Sequence, residues 1–172
     1  APVMPAESKK SPAKPTQTPE NTPTLDTSKI IKPAIALTGE ENVLSDEEIM
    51  KIFVLSSREE RNALAKRWNE FDSLRGDPKM GNLATLLTEG HPFSLCKEAI
   101  VLTYDFTRLK KKANVKENQE ALSQMLETIL GRRVFVYSVD PTDRTRLIMM
   151  FNNLNQVGQL PKKEDCVLNL PK

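Results

Sequence analysis

Between Leu86 and Val139 the spacing of apolar residues changes period twice. Ile100, Leu102, Tyr104 and Phe106 alternate with Val101, Thr103 and Asp105, a period of two that predicts a strand over 99–106 buried on one face. Ala121, Leu122, Met125, Leu126, Ile129 and Leu130 then recur at helical spacing, and Gly131 stands where a helix C-terminus takes a left-handed residue. The next run, 134–139, is β-branched or aromatic at five of its six positions and predicts a third strand. Upstream, Phe93-Ser94-Leu95 predicts a short first strand, joined to the second by a hairpin turn at Cys96-Lys97-Glu98.

Helix signals flank this core. Ser45-Asp46-Glu47-Glu48 and Ser57-Arg58-Glu59-Glu60 both read as capping boxes, in which serine accepts the amide three residues on and glutamate reaches back. The first opens a helix with Ile49, Ile52 and Phe53 on its apolar side. The second opens a helix running to about Leu74, with Leu64, Trp68 and Phe71 as core anchors. A third short helix is expected over 80–87. Asn114-Val115-Lys116-Glu117 resembles another box, so the long helix divides into 107–113 and 115–130. Asp140-Pro141 starts a final helix, with Leu147, Ile148, Phe151 and Leu154 on one side and Met149 and Met150 widening the apolar surface. The fold class is therefore α+β, helices packed on a small three-stranded sheet in the order α-α-α-β-β-α-β-α.

Composition divides the chain unevenly. Residues 1–44 hold seven of the twelve prolines and no aromatic residue, and their charges balance. Such a stretch buries too little apolar area to offset its ordering entropy, so it is expected to be a disordered linker. Ile30, Ile31, Ile35 and Leu37 around Pro33 leave open a docking peptide instead of a plain tether. Residues 45–157 form the expected domain, and 158–172, which lack a period, a tail that is either flexible or folds only on binding.

Among 172 residues the net charge is +2, which advertises neither nucleic acid nor membrane, and no apolar run is long enough to span a bilayer. Cys96 and Cys166 are 70 positions apart and read as reduced thiols of a cytoplasmic protein. His91 is the only histidine, and Gly76 and Gly81 share a phosphate-loop spacing without the following Lys-Ser/Thr. No catalytic set, metal site or cofactor is expected. Two surfaces are candidates for binding. One is the apolar excess of the last helix at Leu147, Met150, Phe151 and Leu154, rich in adaptable methionine. The other is basic, Arg108, Lys110, Lys111 and Lys112 with Arg132 and Arg133, and is either a phosphate contact or a solvated helix face.

Taken together, Trp-Asn-Glu-Phe at 68–71, the run from Leu86 to Leu95, Ile-Val-Leu-Thr-Tyr-Asp-Phe at 100–106, Asn-Gln-Glu-Ala-Leu at 118–122 and the run from Leu130 to Val139 resemble the C-terminal domain of the tau subunit of bacterial DNA polymerase III, low-GC Gram-positive type. The resemblance covers about residues 46–139, and the Pro-rich arm matches the linker expected upstream. It rests on the order and spacing of short elements. It implies a truncated K-homology-like fold and a non-enzymatic role in DNA replication; the fragment is expected to be monomeric. That role is to tether the clamp loader to the replicative polymerase catalytic subunit, with DNA met indirectly through the complex. Docking to the replicative helicase and weak single-stranded DNA binding are the alternatives. A K-homology nucleic-acid clamp needs a Gly-x-x-Gly loop between helices, and this sequence has none.

Overall fold

The computed structural model describes Thr27, Ile30 and residues 35–171. Six α-helices, α1 (Asp46–Leu55), α2 (Arg58–Lys66), α3 (Gly81–Thr88), α4 (Thr107–Asn114), α5 (Lys116–Leu130) and α6 (Pro141–Gln156), pack with β1 (His91–Leu95), β2 (Ala99–Thr103) and β3 (Phe135–Val139). Two 3-10 segments, Trp68–Leu74 and Lys163–Asp165, complete the described order. The class is α+β, and the sheet is mixed. β2 is central, antiparallel to β1 and parallel to β3.

The sheet is covered on both faces, which corrects the expectation of a strand buried on one. All five residues of β2 are buried. Ile100 and Leu102 join α3, α5, Trp68 and Phe71 in one core, whereas Ala99 and Val101 join Ile49, Ile52, Val139 and Leu147 in a second. Alternation persists, but both sets are apolar, as expected of a central strand between two helical layers. The second helix is also shorter than its pattern. The α-helix ends at Lys66, and a tighter 3-10 turn carries Trp68 and Phe71 into the first core. There the Trp68 indole donates to the Gly90 carbonyl at 3.0 Å. Gly90 is required at that place, because a Cβ on it would lie 2.7 Å from the Tyr104 ring.

The sheet's edges are closed by side chains and, at Leu95, by a backbone amide. Asn114, 2% exposed, accepts from the Ser138 amide at 2.8 Å and donates to the Ser138 carbonyl at 2.9 Å, as a neighbouring strand would. Gln119 accepts from the Val136 amide. On the β1 side, the Leu95 carbonyl accepts from the Ser57 amide and the Phe93 carbonyl from Arg61. Sheet extension by an added strand is thereby disfavoured.

Use of Asn114 on β3 explains a further difference from expectation. The helix does break at Val115, but no side chain caps α5. The Lys116 amide instead donates to the Glu40 carbonyl, and the Asn114 carbonyl accepts from the Asn42 amide, both at 2.8 Å. Asn118 clamps Ala36 through both its amide and its carbonyl. Residues 35–44, expected as linker, are thus held against α4 and α5, with Leu44 in the second core and Ile35 against the first. Ile30 is buried in the first core, while Leu37 is 80% exposed. Of the expected linker and docking peptide, residues 1–26, 28–29 and 31–34 lie outside the described residues.

Of the serine boxes, only the forward half forms. Ser45 accepts from the Glu48 amide, but the Glu48 carboxylate accepts from Lys51 and from the Asn169 amide. At Asp140 the reciprocal box is complete, with Asp143 bonding back to the Asp140 amide. Gly131 ends α5 with φ 74°, as its position in the pattern predicts.

Candidate interaction site

The last helix supplies the first of the two expected surfaces, in altered form. Leu147 is fully buried in the second core, so it is removed from the set available to a partner. Its neighbours Ala99, Val101 and Val139 explain this, since one stripe of α6 must cover the sheet. Met150, Phe151 and Leu154 are half-buried against the same core. The large apolar residues left uncovered on α6 are Ile148, 40% exposed, and Met149, 60% exposed.

The tail is held in place, against the expectation of a flexible segment: Leu168 and Leu170 pack against the second core. Its backbone is held by Lys51, which donates to the Val167 carbonyl, and by Glu48, which accepts from the Asn169 amide. Two leucines at alternate positions have an apolar surface to cover once α1 and α6 lie side by side. A search for helical period in the sequence does not detect that.

Between α1, the start of α2, β1 and α6 there is a cleft of about 220 Å³, lined by Phe53, Ser56, Arg61, Phe93, Ser94, Ile148 and Phe151. Phe53 sits at its centre, edge-on to Phe93 at 5.6 Å and to Phe151 at 5.9 Å between ring centroids. Phe93 and Ser94 both line it although they are consecutive, because the β1–β2 register shifts between Pro92 and Ser94. A bulge of this kind re-aims a side chain that regular pleating would turn to the opposite face. Of the lining residues, only Phe151 was among those expected to bind. Pro92 within an edge strand is the sequence signal that would have pointed to the bulge.

The basic candidates are brought together only in part. Lys110 is 2.8 Å from Asp143 and 3.7 Å from Asp140. Arg132 pairs with Glu60 and donates to the Lys97 and Cys96 carbonyls, and Arg133 pairs with Glu127. Arg108, Lys111 and Lys112 face a groove whose other wall is Leu37, Thr38, Gly39 and Glu41. Arg108 lies 5.9 Å from the centroid of the Phe106 ring, which is 58% exposed and lies outside the strand expected to hold it. Among the described residues, no group of three or more His, Cys, Asp and Glu could hold a metal ion. No helix among them is long and apolar enough to cross a membrane. Both thiols are free, Cys96 buried and Cys166 half-buried.

Asp143 gives the site's scaffold a pH dependence. Burial pushes its carboxyl up, but hydrogen bonds from Lys110, the Asp140 amide and Arg146 outweigh it and hold the group below its ordinary value of 3.8. A depressed carboxylate stabilises the fold above its unfolded pKa and loses that contribution as pH falls through the folded value. Melting temperature is expected to fall on acidification below about pH 4, and Asp143→Asn to make that decline shallower. Equal acid slopes for the two proteins would show that the Lys110–Asp143 pair is not a stability determinant.

Compared with known proteins, the chain matches no family model, no curated protein and no solved structure.

Proposed function

We propose that the domain is a non-catalytic interaction module that tethers a clamp loader to the catalytic subunit of a replicative DNA polymerase. The observation that carries this reading is the apolar cleft with uncovered Ile148 and Met149 beside it, on a fold whose sheet edges are closed. The likeness of residues 46–139 to the polymerase III tau C-terminal domain supplies the class of partner. Leu147 serves the fold, and the partner meets Ile148, Met149 and the exposed parts of Phe151 and Met150.

Calorimetric titration of the full chain with the polymerase catalytic subunit is expected to give a saturable 1:1 heat. Absence of binding to the polymerase, together with binding to the replicative helicase, would move the function to helicase docking. Binding to neither removes the tethering role altogether.

A second reading, contact with single-stranded DNA, is favoured by the exposed Phe106 ring beside Arg108 and the groove-facing Lys111 and Lys112. An aromatic face amid cations is a platform for a base and its phosphate. With three cations, the log of the affinity for oligonucleotide is expected to fall with log salt at a slope of about −2. A flat salt response excludes this reading.

A further inference from the structure

One lining residue of the cleft has a charge that packing alone does not use. Arg61 is the cleft's only ionisable lining residue, anchored by a 3.3 Å bond to the Phe93 carbonyl and one to the Asn62 side chain. No carboxylate lies within salt-bridge distance of it among the described residues, and the nearby Glu60 is taken by Arg132.

The cleft therefore combines three aromatic rings, Phe53, Phe93 and Phe151, with one cation, Arg61, that has no counter-charge among the described residues. A basic segment would repel that cation and a purely apolar one would leave it unpaired. An acidic one supplies its counter-charge.

We propose that this cleft receives one leucine- or phenylalanine-sized side chain of an acidic protein segment. A flanking carboxylate of that segment meets Arg61. The inference deepens the docking role proposed above and rests on it only for the identity of the protein that carries the segment. A rim cation steers such a ligand, and the apolar anchor in the desolvated centre carries the affinity.

The test uses the full chain, isotope-labelled for amide chemical-shift mapping, and three twelve-residue probe peptides. One is built of Glu and Asp with Leu and Phe four positions apart. A second has every acid replaced by Lys, and a third has Leu and Phe replaced by Ser. The acidic apolar peptide is expected to shift the amides of Phe53, Ser94 and Ile148, and the other two to leave them in place. Ile148→Asp and Arg61→Glu should each weaken that binding about tenfold. Arg61→Gln should weaken it about threefold with an unchanged circular dichroism spectrum, which keeps the test valid if a charge-reversing variant misfolds.

Equal binding of the lysine peptide, shifts confined to other surfaces, or an Ile148-dependent dimer in sedimentation would each overturn the proposal. The polymerase titration separates the two levels. If the polymerase fails to bind while the acidic peptide shifts the cleft, the tethering role falls and the cleft stands. If the polymerase binds wild type and Ile148→Asp equally, the cleft falls and the tethering role stands.

Discussion

Asn114→Ala is expected to lower the unfolding free energy by about 3 kcal/mol, read as a fall in urea midpoint at unchanged m-value. The side chain is the hydrogen-bond partner of both the amide and the carbonyl of Ser138, and it does so at 2% exposure. Removing it leaves two backbone groups unpaired at a buried edge, each costing about 1–3 kcal/mol. For a domain whose net stability is about 5–15 kcal/mol, that is a large fraction. Asn118→Ala is the comparison, because the backbone groups it frees, on Ala36 and Lys112, are at half-buried positions, and it should cost less. A loss below about 1 kcal/mol for Asn114→Ala would mean that water replaces the side chain at β3, and that this edge is open after all.

Leu147→Ala and Ile148→Asp are expected to separate stability from binding on adjacent residues. Leu147 is fully buried beneath α6, so truncation to alanine should cost about 3 kcal/mol through lost apolar contact and the cavity left behind. Ile148 is 40% exposed on the rim of the cleft, so aspartate there should change stability by less than about 1 kcal/mol. Polymerase affinity should respond the other way, falling for Ile148→Asp and holding for the folded fraction of Leu147→Ala. Thermal melts paired with the calorimetric titration measure both. If Ile148→Asp unfolds the domain, α6 is packed on both sides and its outer stripe is not an interaction surface.

The physical reason why these two neighbours were grouped differently by sequence and by structure is geometric. A widened apolar face on a helix states how much surface is to be covered, but not by what. In α6 the sheet covers Leu147, the ring of Phe53 covers part of Phe151, and Ile148 and Met149 remain. The basic run behaves alike. Six cations were candidates, and three of them, Lys110, Arg132 and Arg133, find carboxylates from other elements. Only a folded chain brings Asp143 to Lys110 or Glu60 to Arg132, since those partners are 33 and 72 residues away.

Local patterns determined the elements themselves. The period of two placed β2, the β-branched and aromatic run 134–139 placed β3, the helical period placed α5, Gly131 ended it, and Asp140 with Pro141 began α6, because each depends on neighbours within a few residues. The second apolar set on β2 was also in view, but alternation alone does not say whether Val101 meets water or a helix. Tertiary structure decided that, by laying α1, α6 and the tail leucines over one face and α3 and α5 over the other. It also decided the extent of the domain. Residues 35–44 have no period and carry weak propensity, yet their backbone satisfies the helix ends at Asn114 and Lys116, groups far along the chain. The cleft beside Ser94 belongs to the same class, for it arises from a one-residue register shift and the approach of three separate helices. Such a site depends on distances between remote residues, and no local spacing encodes them.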